Sequence, residues 1–332
     1  MEKKTSIGGQ GVMDGVMMRS EKIGALAIRR QTGEIATKQW DITAKTSKLW
    51  RLPIFRGMAA FVDSMVGGVK VLSDAVELGG YEEEAEQPGW FERFVAKKTG
   101  KSIEDVMMVF AVIAAIGMAI VLFFILPTLV TGFFKTFIKS TLLLNLIDGV
   151  IRILIFLAYV FSVSFIKEIK DVFRYHGAEH KTIACYEAGD ALTAENAKKH
   201  SRLHPRCGTS YLLIVMIITM VIYSFFTWSS NLFLRIGLRL LMLPLIAGVS
   251  YELLRLLAKS ENIIVRMLRW PGMQLQRLTT AEPTEDMLNV AILAFEMALG
   301  EKSEAELEEM KTSFSLAEEE IQGEAVEADA VY

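Results

Sequence analysis

Four apolar blocks dominate the middle of the chain and predict membrane-spanning helices. The first block, residues 106–134, contains no charged side chain, and about 18 or more such residues suffice for a helix that crosses a bilayer. Further blocks lie at about 141–166, 211–229 and 232–257. The pattern predicts a mainly α integral membrane protein whose region 105–258 is a bundle of four transmembrane helices.

Charged residues interrupt the second and fourth blocks. They need partners, because an unpaired charge in hydrocarbon costs about 2.5 kcal/mol or more. Asp148 and Arg152 are four residues apart and are predicted to pair along one helix. Arg235 and Arg239 fall in the fourth block, and Arg239 lies at a depth similar to that of Asp148. We therefore predict that an Asp148–Arg239 pair clamps the second and fourth spans together; a polar translocation path is the alternative.

The region before the first span, residues 1–104, carries weaker patterns. A loose alternation of apolar and polar residues around Thr32 and Gly33 predicts a small β-hairpin. The segment 53–78 then shows one apolar helical stripe, formed by Met58, Phe61, Met65, Val69, Leu72 and Val76. This stripe is typical of an amphipathic helix that lies on a membrane or packs against the bundle, and equally of a core-facing helix in a small soluble domain.

Residues 259–300, after the fourth span, are predicted to form interfacial and amphipathic helices. Apolar residues alternate there with arginines and with Trp270, a residue type common at membrane interfaces. A short helix is predicted at 284–299, with Thr284 as its cap and Gly300 as its stop.

The acidic tail, residues 301–332, changes the charge balance. It holds eleven acids and two lysines, whereas the whole chain has a net charge of −3. Ser303 and Glu306 have the spacing of a cap for one more helix, and the tail is otherwise predicted to be disordered. The remaining body is basic, which suits an anionic membrane surface, and its pattern contains no nucleic-acid footprint.

Lysine and arginine positions predict the orientation in the cytoplasmic (inner) membrane. The segment 167–206 carries eight of them, and the flanks before the first span and after the fourth are also basic. Basic flanks tend to stay in the cytoplasm, so both termini and this loop are predicted to face that side. The start of the chain lacks a signal peptide's apolar core. The predicted partners are the lipid bilayer and proteins recruited by the cytoplasmic regions.

All four histidines and both cysteines occur between positions 176 and 207, inside the loop 167–210 that joins the second and third spans. Disulfides are uncommon in a reducing compartment. The cysteines are therefore expected to be free thiols or metal ligands, with the role of Cys185 left open.

The first histidine cluster has the pattern H-x-x-E-H, formed by His176, Glu179 and His180. No helix breaker lies between Ser164 and Tyr175, so the second span is predicted to continue through this cluster as one helix. Two imidazoles one turn apart can bind a single Zn²⁺. In the inverted zincin motif, the glutamate takes a proton from the metal-bound water, which makes Glu179 the candidate catalytic base.

The second cluster supplies further candidate ligands, namely His200, His204 and Cys207. The segment 193–207 is predicted to be a helix capped by Thr193, with His200 on it and His204 at its end. A short loop can bring this cluster to the first one. The alternatives are hydrogen-bonded histidines and buried thiols that stabilise the loop, or a cysteine nucleophile activated by a histidine.

Near the start, the segment GGQGVMDGVMMRS matches no phosphate-binding motif. Its glycines predict tight packing of an amino-terminal loop, beside the histidine loop.

These motifs together resemble a known family. The glycine-rich segment, FRYHGAEHKTIACYEAG, KHSRLHPRCGTSYLLIV and PGMQLQRLTTAEP are similar to those of the YqhQ-like bacterial membrane proteins, which are uncharacterised and described as predicted metal-dependent enzymes. The resemblance covers roughly residues 7–300. It implies a multi-pass membrane protein whose suspected metal site comprises His176, Glu179, His180, His200, His204 and Cys207.

The leading hypothesis is a membrane protein with a Zn²⁺-type site in the 167–210 loop and metal-assisted hydrolysis as its candidate reaction. A non-catalytic scaffold or assembly factor, in which the His/Cys cluster is structural, is the main alternative, and a transporter is the third.

Overall fold

The computed structural model describes residues 7–43, 52–80, 89–100, 102–205, 207–225, 231–257 and 262–315. The chain divides into two compact units. The first comprises Met1–Gly80, Val160–Ile214 and Ala247–Tyr332, and the second comprises Tyr81–Tyr159 and Val215–Ile246.

A four-stranded antiparallel sheet opens the first unit. Its strands, in spatial order, are β1 (Gly8–Val12), β2 (Gly15–Arg19), β3 (Ile23–Arg29) and β4 (Ile35–Asp41). The predicted hairpin is the β3–β4 pair, in which Ile28 faces Ala36 and Gly33 takes a positive φ in the turn. The prediction of a loop at the glycine-rich segment was wrong, because this segment forms β1 and β2 around a tight turn at Asp14.

The rest of the described chain is mostly helical. The helices are α1 (Phe55–Gly79), α2 (Trp90–Thr99), α3 (Ile103–Ile120), α4 (Leu126–Phe134), α5 (Thr141–Val163), α6 (Lys167–Ala188), α7 (Ala194–Lys199), α8 (Gly208–Ser224), α9 (Leu232–Leu257), α10 (Ile263–Thr279), α11 (Glu285–Leu299) and α12 (304–315). A π-helical turn, Val121–Ile125, joins α3 to α4.

The core of the first unit combines segments that are far apart in sequence. Val16 and Ala27 of the sheet, Ile183 of α6, and Ile292 and Phe295 of α11 are all buried in one cluster. Helix α11 is apolar on nearly every side because it is enclosed between the sheet and α6. Its ends follow the predicted pattern: the Thr284 hydroxyl accepts from the Met287 amide, and Gly300 ends the helix with a positive φ.

Helix α1 packs on the sheet through the face opposite to the predicted stripe. Val71 and Ala75 are buried against Leu26 and Ile28, and Lys38 pairs with Asp74 at 2.8 Å. Four residues of the predicted stripe are instead exposed, namely Met65, Val69, Leu72 and Val76.

Three helical segments of the described chain are long and apolar enough to cross a membrane: Val106–Phe134, Thr141–Val163 and Phe233–Leu256. The predicted third span corresponds to α8, whose apolar part Leu212–Ser224 is shorter. The remainder of that predicted span, 226–229, lies outside the described residues.

The second unit contains the predicted ion pairs. Asp148 accepts from Arg152 Nη2 at 2.9 Å and from Arg239 Nη1 at 2.9 Å. Arg239 also donates to Thr128 Oγ1 at 2.8 Å, and both guanidiniums lie over the Tyr223 ring. The prediction that Asp148 and Arg239 join the second and fourth apolar blocks is confirmed.

One local prediction was wrong, and another agrees with the structure. The helix of the second block does not run on into the histidine segment: α5 ends at Val163, and α6 begins at Lys167 after Ile166, which has an extended backbone. The helix predicted at the start of the acidic tail is present: α12 follows a reciprocal cap between Ser303 and Glu306 and packs Leu307 and Phe314 on the core. Tail residues 316–332 lie outside the described residues.

Candidate metal centre

Helix α6 supplies the two histidines of the first cluster. His176 and His180 are one turn apart, and their ring centroids are 4.5 Å from each other. Between them, Gly177 leaves room for the chain after α10, since a Cβ there would meet the carbonyl oxygen of Ala281. The Ala281 amide donates to the Phe173 carbonyl at 2.8 Å, which fixes that segment along the helix.

Hydrogen bonds orient the His176 ring. Its Nδ1 lies 2.9 Å from the carbonyl oxygen of Thr279, the last residue of α10. A carbonyl can only accept, so in the neutral ring the proton is on Nδ1 and Nε2 carries the lone pair. This Nε2 faces Cys207 Sγ at 3.2 Å.

His180 is held in the same way. Its Nδ1 lies 2.6 Å from the Arg202 carbonyl oxygen, which again leaves the lone pair on Nε2. The residue is almost fully buried, and Nε2 has no hydrogen-bond partner among the described residues. A buried polar atom without a partner costs about 1–3 kcal/mol of stability. A ligand bound to this nitrogen would remove that cost.

Cys207 completes a group of three potential metal ligands. It precedes α8, is buried and is not in a disulfide. One ligand atom each from His176, His180 and Cys207 can be chosen so that all lie within 4.8 Å of one another. The structure therefore brings the two sequence clusters to a common point.

Glu179 lies beside this group and is buried in the same wall. Its Oε1 accepts from the Gly9 amide of β1 at 2.9 Å, while Oε2 has no partner among the described residues. Burial raises the pKa of the Glu179 carboxyl, whereas His176 and the Gly9 amide act in the opposite direction. The carboxyl thus presents one unpartnered oxygen next to the imidazoles.

Strand β1 reaches α6 because its glycines have no side chains. A Cβ on Gly11 would lie 2.6 Å from both the His176 amide nitrogen and the Val172 carbonyl oxygen. Sequence reasoning missed the contact between the Gly9 amide and Glu179, although the glycine-rich composition pointed to close packing. The carbonyls of Thr279 and Arg202 were also missed, since backbone groups leave no sequence signal.

The end of α10 supports the second cluster. Gln276 is fully buried, accepts from the His204 amide and donates to the His204 carbonyl, each at 2.8 Å. Arg202 donates to the hydroxyl of Thr280 at 2.8 Å. These bonds fix the loop that carries the Arg202 carbonyl and Cys207.

His204 and His200 differ from the other predicted ligands in position. His204 is next to His180, with ring centroids 5.7 Å apart, but its Nε2 lies 3.6 Å from Glu187. His200 is separate from this group: it follows the last residue of α7 and pairs with Asp190 at 2.9 Å. The structure thus places His200 with Asp190 and Cys185 and does not bring it to His176, His180 and Cys207.

Cys185, whose role the sequence left open, belongs to the His200 group. It is buried on α6, and burial, followed by the charge of Asp190, raises the pKa of its thiol. A raised pKa reduces the thiolate fraction, which argues against Cys185 as a nucleophile.

An open cleft of about 1440 Å³ borders the group. Its wall includes Glu179, His180, His204 and Cys207, and further lining comes from β1 and from α1. A small molecule can therefore approach the buried ligand atoms from this side.

Comparison with known proteins places the chain in a family. The family described as "Protein of unknown function (DUF1385)" matches residues 52–301. The chain belongs to this family. It is also 34% identical over 297 residues to the uncharacterized protein YqhQ of Bacillus subtilis (strain 168), covering 87% of this chain and 90% of that protein. No solved structure matches. The predicted YqhQ-like membership is thus confirmed.

Proposed function

We propose that His176 Nε2, His180 Nε2 and Cys207 Sγ bind one divalent metal ion of the Zn²⁺ type. The main support is the arrangement of the two rings. Each directs Nδ1 to a backbone carbonyl, His176 Nε2 lies 3.2 Å from Cys207 Sγ, and one ring nitrogen of His180 lies within 4.8 Å of the ligand atoms of the other two residues. Metal-binding histidines usually donate their second ring N–H to such an acceptor. The unpartnered Nε2 of His180 fits a coordination bond.

The set of three ligands favours a catalytic site over a structural one. Structural Zn²⁺ sites are usually closed by four protein ligands, whereas catalytic sites keep a position for water or substrate. Here the cleft reaches His180 and Cys207. The site therefore has a direction from which a fourth ligand can enter.

Metal-assisted hydrolysis is the reaction that this arrangement suits best. A Zn²⁺ ion held by His176, His180 and Cys207 would polarise a substrate carbonyl or phosphoryl oxygen and would lower the pKa of a water molecule beside it to about 7. Glu179 accepts the proton at Oε2, the oxygen without a partner, while the Gly9 amide holds Oε1 in place.

A structural role is the second candidate. The ligands come from α6 and from the residue before α8, so an ion would tie two helices together. In that case the protein is a membrane scaffold whose cytoplasmic regions recruit partner proteins. Glu179 then serves only to hold β1 against α6.

The two functions are separated by Glu179→Gln. For a hydrolase, we expect full metal content and unchanged unfolding temperature, with hydrolysis of ester, amide and phosphoester test substrates reduced about 100-fold or more, in the range for a lost general base. Glu168→Gln, an exposed change on the same helix, serves as the control. Unchanged hydrolysis by Glu179→Gln would contradict the catalytic role, and absence of metal from the wild-type protein would contradict both candidates.

We further propose that four spans cross the cytoplasmic membrane and that both termini and the histidine loop face the cytoplasm. The shared core supports this: segments before the first span, between the second and third, and after the fourth pack in one cluster, so an even number of crossings separates them. Helix α8 then crosses together with α9. Reporter fusions at each terminus check this, and opposite locations of the two would contradict it.

A further inference from the structure

Helix α1 exposes a continuous apolar face. Six large side chains on it are between 37% and 66% exposed, namely Val62, Met65, Val66, Val69, Leu72 and Val76. Their spacing places them on one stripe of the helix, about a third of its circumference. A contiguous exposed apolar stripe of this length is typical of an interaction surface rather than of a solvated face.

The opposite face of α1 fixes the direction in which this stripe points. Val71 and Ala75 are buried against the sheet, and the Lys38–Asp74 pair adds a polar contact at 2.8 Å. Rotation of the helix to bury the stripe would break these contacts. The apolar stripe therefore needs a partner other than the sheet.

The beginning of α1 is attached to the end of a span-length helix. A Cβ on Gly57 would lie 2.9 Å from the Gly248 Cα and 2.7 Å from the Tyr251 Cβ, so the backbones of α1 and α9 touch. Next to this contact, the Arg56 guanidinium donates two hydrogen bonds to the Glu252 carboxylate. Helix α9 is one of the helices suited to crossing a membrane, so α1 starts beside the last turns of a span-length helix.

We propose that the stripe of α1 lies in the interfacial layer of the bilayer that α9 crosses, with the helix axis along the membrane surface. Amphipathic helices bind there by burying their apolar face at the boundary between headgroups and acyl chains. The proposal rests on membrane insertion of α9 and is independent of any metal. Val66 belongs both to the stripe and to the lining of the cleft, so the cleft beside Glu179 and His180 opens next to lipid.

Spin labels test this surface directly. Val69→Cys and Glu77→Cys place labels on two exposed positions of the same helix, one inside the stripe and one outside it. Native Cys185 and Cys207 are buried, so wild-type protein gives the background labelling. In lipid nanodiscs, we expect the ratio of the label's collision rate with oxygen to its collision rate with a water-soluble nickel chelate to be several-fold higher at Val69 than at Glu77.

Three results would overturn the proposal. One is equal access of the nickel chelate to both labels. Another is dipolar broadening between Val69 labels, which would mean that a second copy of the chain covers the stripe. The third is that, in detergent, the Val69 label is shielded from the nickel chelate only when another protein co-purifies with the chain. Met65→Cys gives an independent reading if Val69→Cys does not fold, and the metal content of each variant reports separately on the His/Cys site.

Discussion

Two groups of potential metal ligands each include residues of α6, and their surroundings differ. The first group contains His176, His180 and Cys207, and the second contains Cys185, Asp190 and His200. In the second group the histidine is already paired with the aspartate at 2.9 Å, and the Cys185 thiol donates to the Ala191 carbonyl at 3.5 Å.

The first group, by contrast, gathers acceptors without enough donors. Lone pairs are present on Nε2 of both rings and on Oε2 of Glu179. Two of these atoms, His180 Nε2 and Glu179 Oε2, lack partners among the described residues. A cation satisfies such a set, whereas the second group is satisfied by its own members and by the backbone. Composition alone therefore does not distinguish the two groups, whereas the unsatisfied lone pairs of the first group do.

The largest expected effect is on metal content. His180→Ala removes a ligand of the first group and should reduce bound zinc from about one equivalent to a trace, since loss of even an outer-shell partner lowers affinity about 10–100-fold. His200→Ala, the matched change in the second group, should leave the content unchanged. Elemental analysis of chelator-free preparations measures both, and equal losses in the two variants would contradict the distinction.

A second prediction concerns the close approach of β1 to the first group. Gly11→Ala places a methyl against the α6 backbone at His176 and should lower the free energy of unfolding by about 3 kcal/mol, the upper range for overpacking. Gly8→Ala, in the same strand, meets nothing within 4 Å and should cost far less. Thermal unfolding in detergent compares them. Similar values would show that β1 does not pack on α6 as described.

The smallest effect is expected in the second group itself. His200→Ala removes a partly exposed pair and should change the free energy of unfolding by at most about 1 kcal/mol. The same unfolding assay detects it. A loss as large as that of Gly11→Ala would mean that the second group has a structural role beyond this pair.

Much of the fold follows from patterns that are local in sequence. The long apolar helices, the β3–β4 hairpin and the caps at Thr193, Thr284 and Ser303 each depend on side chains close together along the chain. The Asp148–Arg239 pair was also predictable, because burial of either charge alone is costly.

Other features depend on contacts that no local pattern encodes. Strands β1 and β2 contain many glycines, which weaken the alternation that identifies a strand. The break after Val163 has no proline or glycine to mark it. The position of His200 follows from the end of α7 at Lys199. The apolar stripe of α1 faces outward because smaller residues of the same helix, such as Val71 and Ala75, pack on the sheet.

The buried position of α11 has a consequence for the order of assembly in the cell. The sheet is among the first segments to leave the ribosome, yet the helix that covers it is among the last. Val16 and Ala27 therefore lack this cover while the apolar helices are being synthesised. A chain that stops after residue 258 would keep its long apolar helices but leave the sheet without the helix that covers it, and the exposed apolar residues would favour its degradation by proteases.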